Sequence, residues 1–321
     1  MSTSPAITAD SESGAPAAAS AAYPFTRLMY WCVRREFWEN RSIYIAPFTA
    51  AGLLIFVVLI TVIEAGINAQ PLSGDAGEGI GGTLLWIPYM LIAAPVLAIG
   101  VFVAIAYCLG ALHGERRDRS ILFWKSLPVS DLTTVLSKAC VPILLIPLIS
   151  FVAATVAQLA IYAMMLPLFA AKAHLIWAGV PVDYHTMRML WAGVPIGYLT
   201  LVMLYGLLAT ALWHAPLYAW LLLVGGWARR MTLVWAVAPI AGLMIVEQIA
   251  FGTDHLGTML QDRLSGSIPI AFAHVTNGNL PGLPGLTPGR FLTDPGLWIG
   301  LAVATFFLGA AVLLRRYRQP I

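Results

Sequence analysis

Charge is scarce in this chain. Only 10% of its 321 residues are charged, three of them lysines, whereas 60% are hydrophobic and the mean hydropathy is +0.82. A water-soluble protein carries about 25% charged residues. The scarcity of charge therefore excludes a soluble globular protein and predicts an integral membrane protein.

The motifs of several functional classes are also missing. No G-x-x-x-x-G-K-[ST] occurs and no lysine follows a glycine, so the chain has no phosphate-binding loop and cannot itself be an ATPase. Cys32, Cys108 and Cys140 show no metal-ligand spacing, and we expect neither a metal site nor a disulfide. The basic residues are scattered in pairs between apolar runs, which argues against nucleic acid as a partner. No paired catalytic residues stand out, so we do not expect an enzyme.

The N-terminal region divides into two parts. Residues 1–22 are mostly Ala, Ser, Thr and Pro and predict a disordered tail that is not a signal peptide. Residues 23–43 mix aromatic side chains with six charged ones, which is too much charge for a membrane span. This composition predicts an amphipathic helix in the membrane interface. A plain basic anchor that orients the chain is the alternative.

Long apolar runs predict an all-α membrane domain over residues 44–321, with six spans and both termini in the cytoplasm. Six spans place 14 Lys and Arg residues inside and 4 outside, against 11 and 7 for seven spans. The positive-inside rule favours six. The apolar residues 217–227 are then a short interfacial or re-entrant helix, and 252–296 form short helices and turns on the outer side. The predicted spans are about 44–65, 84–112, 133–170, 190–213, 231–251 and 297–314.

The densest block of charge, His113 to Lys138, lies between spans 2 and 3. Gly114 is expected to end the preceding helix, and Leu127-Pro128 to force a turn, because a residue before proline avoids the helical region. Ser130 is expected to cap the next helix, with Asp131 in its first turn. The pattern predicts a short, separately folded cytoplasmic helix.

The sequence of this loop resembles that of a known family. Glu-Arg-Arg-Asp-Arg-Ser at 115–120, Phe-Trp-Lys-Ser-Leu-Pro-Val-Ser at 123–130 and Lys138 resemble the cytoplasmic coupling loop in permease subunits of ATP-binding-cassette (ABC) transporters of the type-2 exporter superfamily. A weaker resemblance lies in PLYAWLLLVGGWARR at 216–230.

The resemblance implies a permease subunit of a bacterial ABC exporter in the inner membrane. Such a chain pairs with a second permease chain, as a homo- or heterodimer, and with two ATPase subunits. Those subunits hold ATP and Mg, so no cofactor is expected on this chain. The resemblance also implies that the amphipathic helix helps to receive the ATPase. The loop residues expected to contact the ATPase are Glu115, Arg116, Arg117, Asp118 and Arg119. Phe123 and Trp124 are expected to anchor the loop against the bilayer or a groove, and Lys125 is expected to take part in the coupling.

Three polar residues fall at membrane depth near the outer ends of spans, namely Glu64, Glu247 and Gln248. A carboxylate in hydrocarbon is costly, which makes them candidates for a substrate path. The alternative is that they reach the outer headgroups. Peptide, lipid, drug and ion all stay open as substrates.

A second function fits the same topology. A membrane protein that binds a partner without transporting, such as an immunity or sensory subunit, would share the six spans and the charged loop. An intramembrane enzyme is a third hypothesis. The sequence disfavours it, because no set of catalytic residues is found at a common depth in the membrane.

Overall fold

The computed structural model describes residues 24–67, 87–118, 129–170, 175–177, 180–182, 195–265, 267–274 and 284–317. The predicted disordered tail, residues 68–86 after the first predicted span, and residues 119–128 of the predicted coupling helix fall outside these residues. The described helices are α1 (Phe25–Glu39), α2 (Ser42–Ile67), α3 (Ile87–Arg117), α4 (Asp131–Cys140), α5 (Ile146–Ala170), α6 (Ile196–Trp213), α7 (Ala215–Trp227), α8 (Thr232–Phe251), α9 (His255–Ser265), α10 (Ser267–Ala271), α11 (Pro288–Thr293) and α12 (Pro295–Tyr317).

Two short antiparallel hairpins accompany the helices. Strand β1 (Leu175–Trp177) pairs with β2 (Val180–Val182), with Leu175 opposite Val182. Strand β3 (Phe272–His274) pairs with β4 (Pro284–Leu286), with Phe272 opposite Leu286. Both lie in segments predicted as outer loops, and they leave the described fold predominantly helical.

Among the residues that the structure describes, six helical stretches are long and apolar enough to cross a membrane, which confirms a multi-pass membrane protein. Their outward surfaces are apolar: Leu53 and Phe56 of α2 and Ile249 and Phe251 of α8 are all exposed. Acyl chains can cover such faces at no cost, whereas water cannot. The cytoplasmic location of the termini stays a prediction. The six stretches are Ser42–Thr61, Leu91–Arg117, Asp131–Met164, Ile196–Trp213, Thr232–Phe251 and Pro295–Tyr317.

The third crossing stretch contains a break in its helical pattern. At 34 residues and 1.5 Å per residue it exceeds a hydrocarbon core of about 30 Å. A π-helical turn, Val141–Leu145, separates α4 from α5 and carries Pro142 near its start. Proline lacks the N–H that an α-helix would use, and a wider turn accommodates this loss. The length and the prolines of this stretch predict a helix that tilts, kinks or protrudes, and they do not indicate a π-helical turn.

Helix α7 contains the predicted interfacial or re-entrant helix, residues 217–227. It follows α6 with only His214 between them, and the Leu217 and Tyr218 amides both donate to the His214 carbonyl. It packs chiefly against α3 and α12, and Leu222 is completely buried. The short apolar helix is therefore part of the protein core, and its interfacial or re-entrant position in the membrane stays a prediction.

Small residues allow α3 and α5 to pack close together. Ala93 of α3 and Ala153, Ala154 and Ala157 of α5 belong to one buried cluster. Small side chains let helix backbones approach, which is how helices associate where lipid supplies no hydrophobic drive.

Gly225 marks the tightest approach of α7 to α3, and its replacement is expected to be destabilising. A Cβ atom at position 225 would lie 3.1 Å from the carbonyl oxygens of both Cys108 and Leu109. These are backbone atoms, so the helices must separate. We expect Gly225→Ala to cost about 1–3 kcal/mol, the range of overpacking. The thermal unfolding midpoint in detergent measures this.

Gly242→Ala is the matched control, because a Cβ at position 242 of α8 meets no atom within 4 Å. Alanine there should be neutral or stabilising, since glycine weakens a helix interior. Equal effects of the two substitutions would contradict the close packing of α7 on α3.

Candidate functional site

The end of α3 carries the first residues of the site. The helix does not stop at Gly114 as expected but continues to Arg117, so Glu115 and Arg116 are helical and buried. Arg116 Nη1 donates to the Gly226 carbonyl oxygen at 2.7 Å, and His113 Nδ1 lies 3.3 Å from the Ala228 carbonyl oxygen. A cation such as Arg116 is favourable at the C-terminal end of α7, because the last carbonyls of a helix carry partial negative charge. These contacts fix the end of α3 to the end of α7.

Glu115 is the centre of an ion-pair network. Its Oε1 lies 3.1 Å from Arg35 Nη2 and 3.2 Å from Lys138 Nζ. Its Oε2 accepts a hydrogen bond from Arg315 Nη1. One carboxylate thus binds a cation from each of three other helices, α1, α4 and α12.

Glu36 of α1 is the second acidic centre. Its Oε1 lies 2.8 Å from Lys138 Nζ, and its Oε2 accepts from the Tyr107 hydroxyl at 2.8 Å. Asn40 Nδ2 adds a longer bond to the same Oε2 at 3.4 Å. Glu36 and Lys138 are each only 2% exposed, so both charges depend on these partners.

Asp131 connects the start of α4 to the same network. Ser130 caps this helix as predicted, since its Oγ accepts from the Thr133 amide at 3.1 Å. Asp131, in the first turn, also accepts from Arg315 Nε at 3.0 Å. Arg315 therefore binds the last turn of α3 through Glu115 and the first turn of α4 through Asp131.

The network pairs carboxylates with cations from several helices. Glu36, Glu115 and Asp131 contact the three cations Arg35, Lys138 and Arg315, and the exposed Glu39 adds a further carboxylate on Arg35. A buried ion that loses its partner is strongly destabilising, typically by about 3–5 kcal/mol. Burial alone would lower the pKa of Arg35, but the neighbouring Glu36, Glu39 and Glu115 carboxylates raise the pKa above its usual value. The cation of Arg35 is thus held in its charged form.

A cavity of about 630 Å³ adjoins the network between α1 and α3. Arg35, Glu36, Glu115 and Lys138 all reach its wall, next to the small Gly110. The network is thus buried on its helical side and borders an open polar space on the other.

The predicted loop residues divide into two groups. Glu115 and Arg116 face into the protein, whereas the side chains of Arg117 and Asp118 are 73% and 64% exposed. In this structure, Arg117 and Asp118 are the described members of the set that a partner can reach. The other predicted loop residues, Arg119, Phe123, Trp124 and Lys125, lie outside the described residues.

The predicted substrate-path residues lie on two helices, Glu64 on α2 and Glu247 and Gln248 on α8. Glu247 Oε1 accepts from the Thr253 hydroxyl at 2.9 Å and the His255 amide at 2.8 Å. Its Oε2 accepts from the Leu256 amide at 2.9 Å. The Glu247 carboxylate therefore caps the first turn of α9. Glu64 and Gln248 are exposed at the surface.

Glu247→Ala is expected to loosen α9 locally. Without the carboxylate, the His255 and Leu256 amides lose their acceptor, so their hydrogen exchange should be severalfold faster. Amide exchange by mass spectrometry measures this. Gln248→Ala is the control, because Gln248 is the exposed neighbour on the same helix. Unchanged exchange at the start of α9 in Glu247→Ala would contradict the capping role.

Most of the network was not predicted from the sequence. Arg35 and Glu36 were predicted to lie in an interfacial helix, and Arg315 follows the last predicted span, which ends at about residue 314. Charges inside or next to otherwise apolar helices were the available signal, because such charges face the interior of a bundle and pair there. Within the residues that the structure describes, no three His, Cys, Asp or Glu side chains group as they would around a metal ion.

Comparison of the chain with protein-family models, with curated proteins and with solved structures found no match.

Proposed function

We propose that this chain is the membrane-spanning permease subunit of an ABC exporter in a bacterial inner membrane. It works as a dimer, with ATP and Mg held by two separate ATPase subunits. The observation that carries the proposal is the contact of Arg315 with both Glu115 and Asp131. In the sequence, these carboxylates lie on either side of residues 119–128, the middle part of the segment 115–138 that resembles a coupling loop.

A coupling loop must transmit force rather than absorb it. If its two ends could move independently, a push from a partner would only reshape the loop. Here one guanidinium binds a carboxylate before the loop and another after it, and Lys138 and Arg35 extend the contact to α1. Displacement of the loop would therefore move α1, α3, α4 and α12 together.

The same arrangement separates two roles within the charged block. The exposed Arg117 and Asp118, with the predicted contact Arg119 and with Lys125, form the surface offered to the ATPase. Phe123 and Trp124 anchor the loop against the bilayer or a groove. Glu115 supports that surface from within, through its pairs with Arg35, Lys138 and Arg315. ATP binding would close the ATPase subunits and push the loops, and the helical bundle would change between substrate-accepting and substrate-releasing states.

A co-purification experiment tests the proposal. The tagged protein is isolated from its native host in mild detergent, and the eluate is assayed for ATP hydrolysis. Wild type should retain an ATPase subunit, and Arg117→Ala/Asp118→Ala should lose most of it while keeping its thermal unfolding midpoint. The control is Arg229→Ala/Arg230→Ala, which alters two exposed arginines in a predicted cytoplasmic turn outside the charged block.

Two results would overturn the exporter assignment. One is the absence of any ATPase in the wild-type eluate. The other is equal retention of the ATPase by the Arg117/Asp118 variant and wild type. Recovery of a different soluble protein, without ATP hydrolysis, would favour a partner-binding membrane protein instead.

A further inference from the structure

One face of α1 carries only basic and aromatic side chains. Arg27, Tyr30, Trp31, Arg34 and Trp38 are all exposed. They follow one another at i, i+3, i+4, i+7 and i+11, which places them within a narrow arc of the helix. We call these five residues the α1 strip. Arg41, in the turn after the helix, is also exposed and adds a further positive charge close to it.

The opposite face of α1 is fixed to the bundle. Glu36 is bound to Lys138 and Tyr107, and Arg35 to Glu115, so the helix cannot roll without breaking buried ion pairs. The Phe37 and Tyr44 rings, with centroids 5.0 Å apart, pack α1 against the start of α2. The α1 strip is therefore presented in one orientation.

The α1 strip lies next to the first residues of α2, which is long and apolar enough to cross the membrane. Only Asn40 and Arg41 separate α1 from α2, whose apolar residues begin almost at once. A surface at this position meets the lipid headgroups of the leaflet in which α2 starts. Trp and Tyr side chains favour this depth, because their rings combine an apolar body with a polar edge.

The chemistry of the strip matches an anionic headgroup. The Arg34 guanidinium carbon lies 5.1 Å from the centre of the Trp31 ring, and the Tyr30 and Trp31 rings meet edge to face at 5.6 Å. A guanidinium placed over an aromatic ring keeps N–H donors for two phosphate oxygens. The strip itself contains no carboxylate. Glu39 lies beside it and is bound to Arg35 at 3.1 Å.

We propose that the α1 strip binds the phosphate groups of anionic phospholipids, with Arg34 and Arg41 as principal phosphate contacts and Trp31 and Trp38 seated among the headgroups. Zwitterionic lipids share the phosphate but carry a compensating cation, which the arginines repel. The preference for anionic lipid is therefore electrostatic and weakens as salt screens the charges. This inference is independent of the proposed transport function.

Native mass spectrometry of the full-length protein tests the proposal, in detergent micelles doped with phosphatidylglycerol or phosphatidylcholine. Wild type should retain phosphatidylglycerol in preference to phosphatidylcholine. Each arginine near an anionic surface contributes about fivefold in affinity. Arg34→Gln/Arg41→Gln should therefore weaken phosphatidylglycerol binding about 25-fold. Both residues are exposed, so the unfolding midpoint without added lipid should stay unchanged.

The control, Arg290→Gln, removes an exposed arginine of the predicted outer side, away from the leaflet that the α1 strip meets. It should leave phosphatidylglycerol retention close to wild type. Equal loss in both variants, or equal retention of the two lipids by wild type, would overturn the proposal. If Arg34→Gln/Arg41→Gln kept its lipid but lost a co-purifying soluble protein, the strip would be a protein-binding surface and the proposal would be wrong.

Discussion

Lys138→Ala is expected to be among the most destabilising substitutions in this protein, at about 3–5 kcal/mol. The ammonium group is buried between the Glu36 and Glu115 carboxylates, at 2.8 and 3.2 Å. Its removal leaves two buried acids with fewer cations around them and little access to water. The thermal unfolding midpoint in a fixed detergent or lipid measures the loss.

A double substitution distinguishes lost charge balance from lost volume. Lys138→Met/Glu36→Gln removes one charge of each sign and keeps the side chains close to their original size. It should recover part of the stability lost in Lys138→Met, since contacting charged residues couple by about 0.5–3 kcal/mol in such cycles. Arg316→Ala, at an exposed position beside Arg315, is the control for loss of a positive charge. If Lys138→Ala lowers the stability no more than Arg316→Ala does, the buried network is disproved.

Insertion of one glycine between Gly114 and Glu115 is expected to uncouple ATP hydrolysis from transport. The insertion turns each later residue of α3 by about 100°, because an α-helix has 3.6 residues per turn. Glu115 would then face away from Arg35, Lys138 and Arg315, and Arg116 away from the Gly226 carbonyl. A purified complex in liposomes should hydrolyse ATP while its transport falls to the level without ATP. Transport-linked hydrolysis at the wild-type level in the insertion variant would refute the coupling role of this end of α3.

Gly114→Ala provides the contrasting control. A Cβ at position 114 meets no atom within 4 Å, and the backbone there is helical. Alanine should therefore stabilise α3 by about 0.5–1 kcal/mol and preserve coupling. A loss of stability in Gly114→Ala would favour the original expectation that Gly114 ends the helix.

The sequence was most informative where local chemistry decides the structure. The apolar runs predicted six long helices, because a membrane-spanning segment needs about 20 residues of low polarity whatever its neighbours are. Ser130 was predicted as a helix cap from its own side chain and from Asp131 in the turn that follows. The length and the prolines of the third crossing stretch predicted a helix that tilts, kinks or protrudes, although not its π-helical turn.

The site was only partly predictable. Glu115 and Arg116 were singled out as charged residues of a loop, but the sequence did not indicate that they point inward. Asp131 was expected to interact with its own helix, and it also binds Arg315, which is 184 residues away. Glu36 and Lys138 are 102 residues apart. Pairing over such distances depends on which helices become neighbours, and local patterns do not contain that information.

The sequence by itself determined that this is a multi-pass helical membrane protein without a phosphate-binding loop, because composition and motif spacing are local properties. Only the tertiary structure decided that α7 is a core helix and that α3 continues through Gly114. It also decided that charged side chains from four helices form one network. The physical reason is that a charge in an apolar protein is stable only beside its partner, and the packing of the helices determines which partner that is.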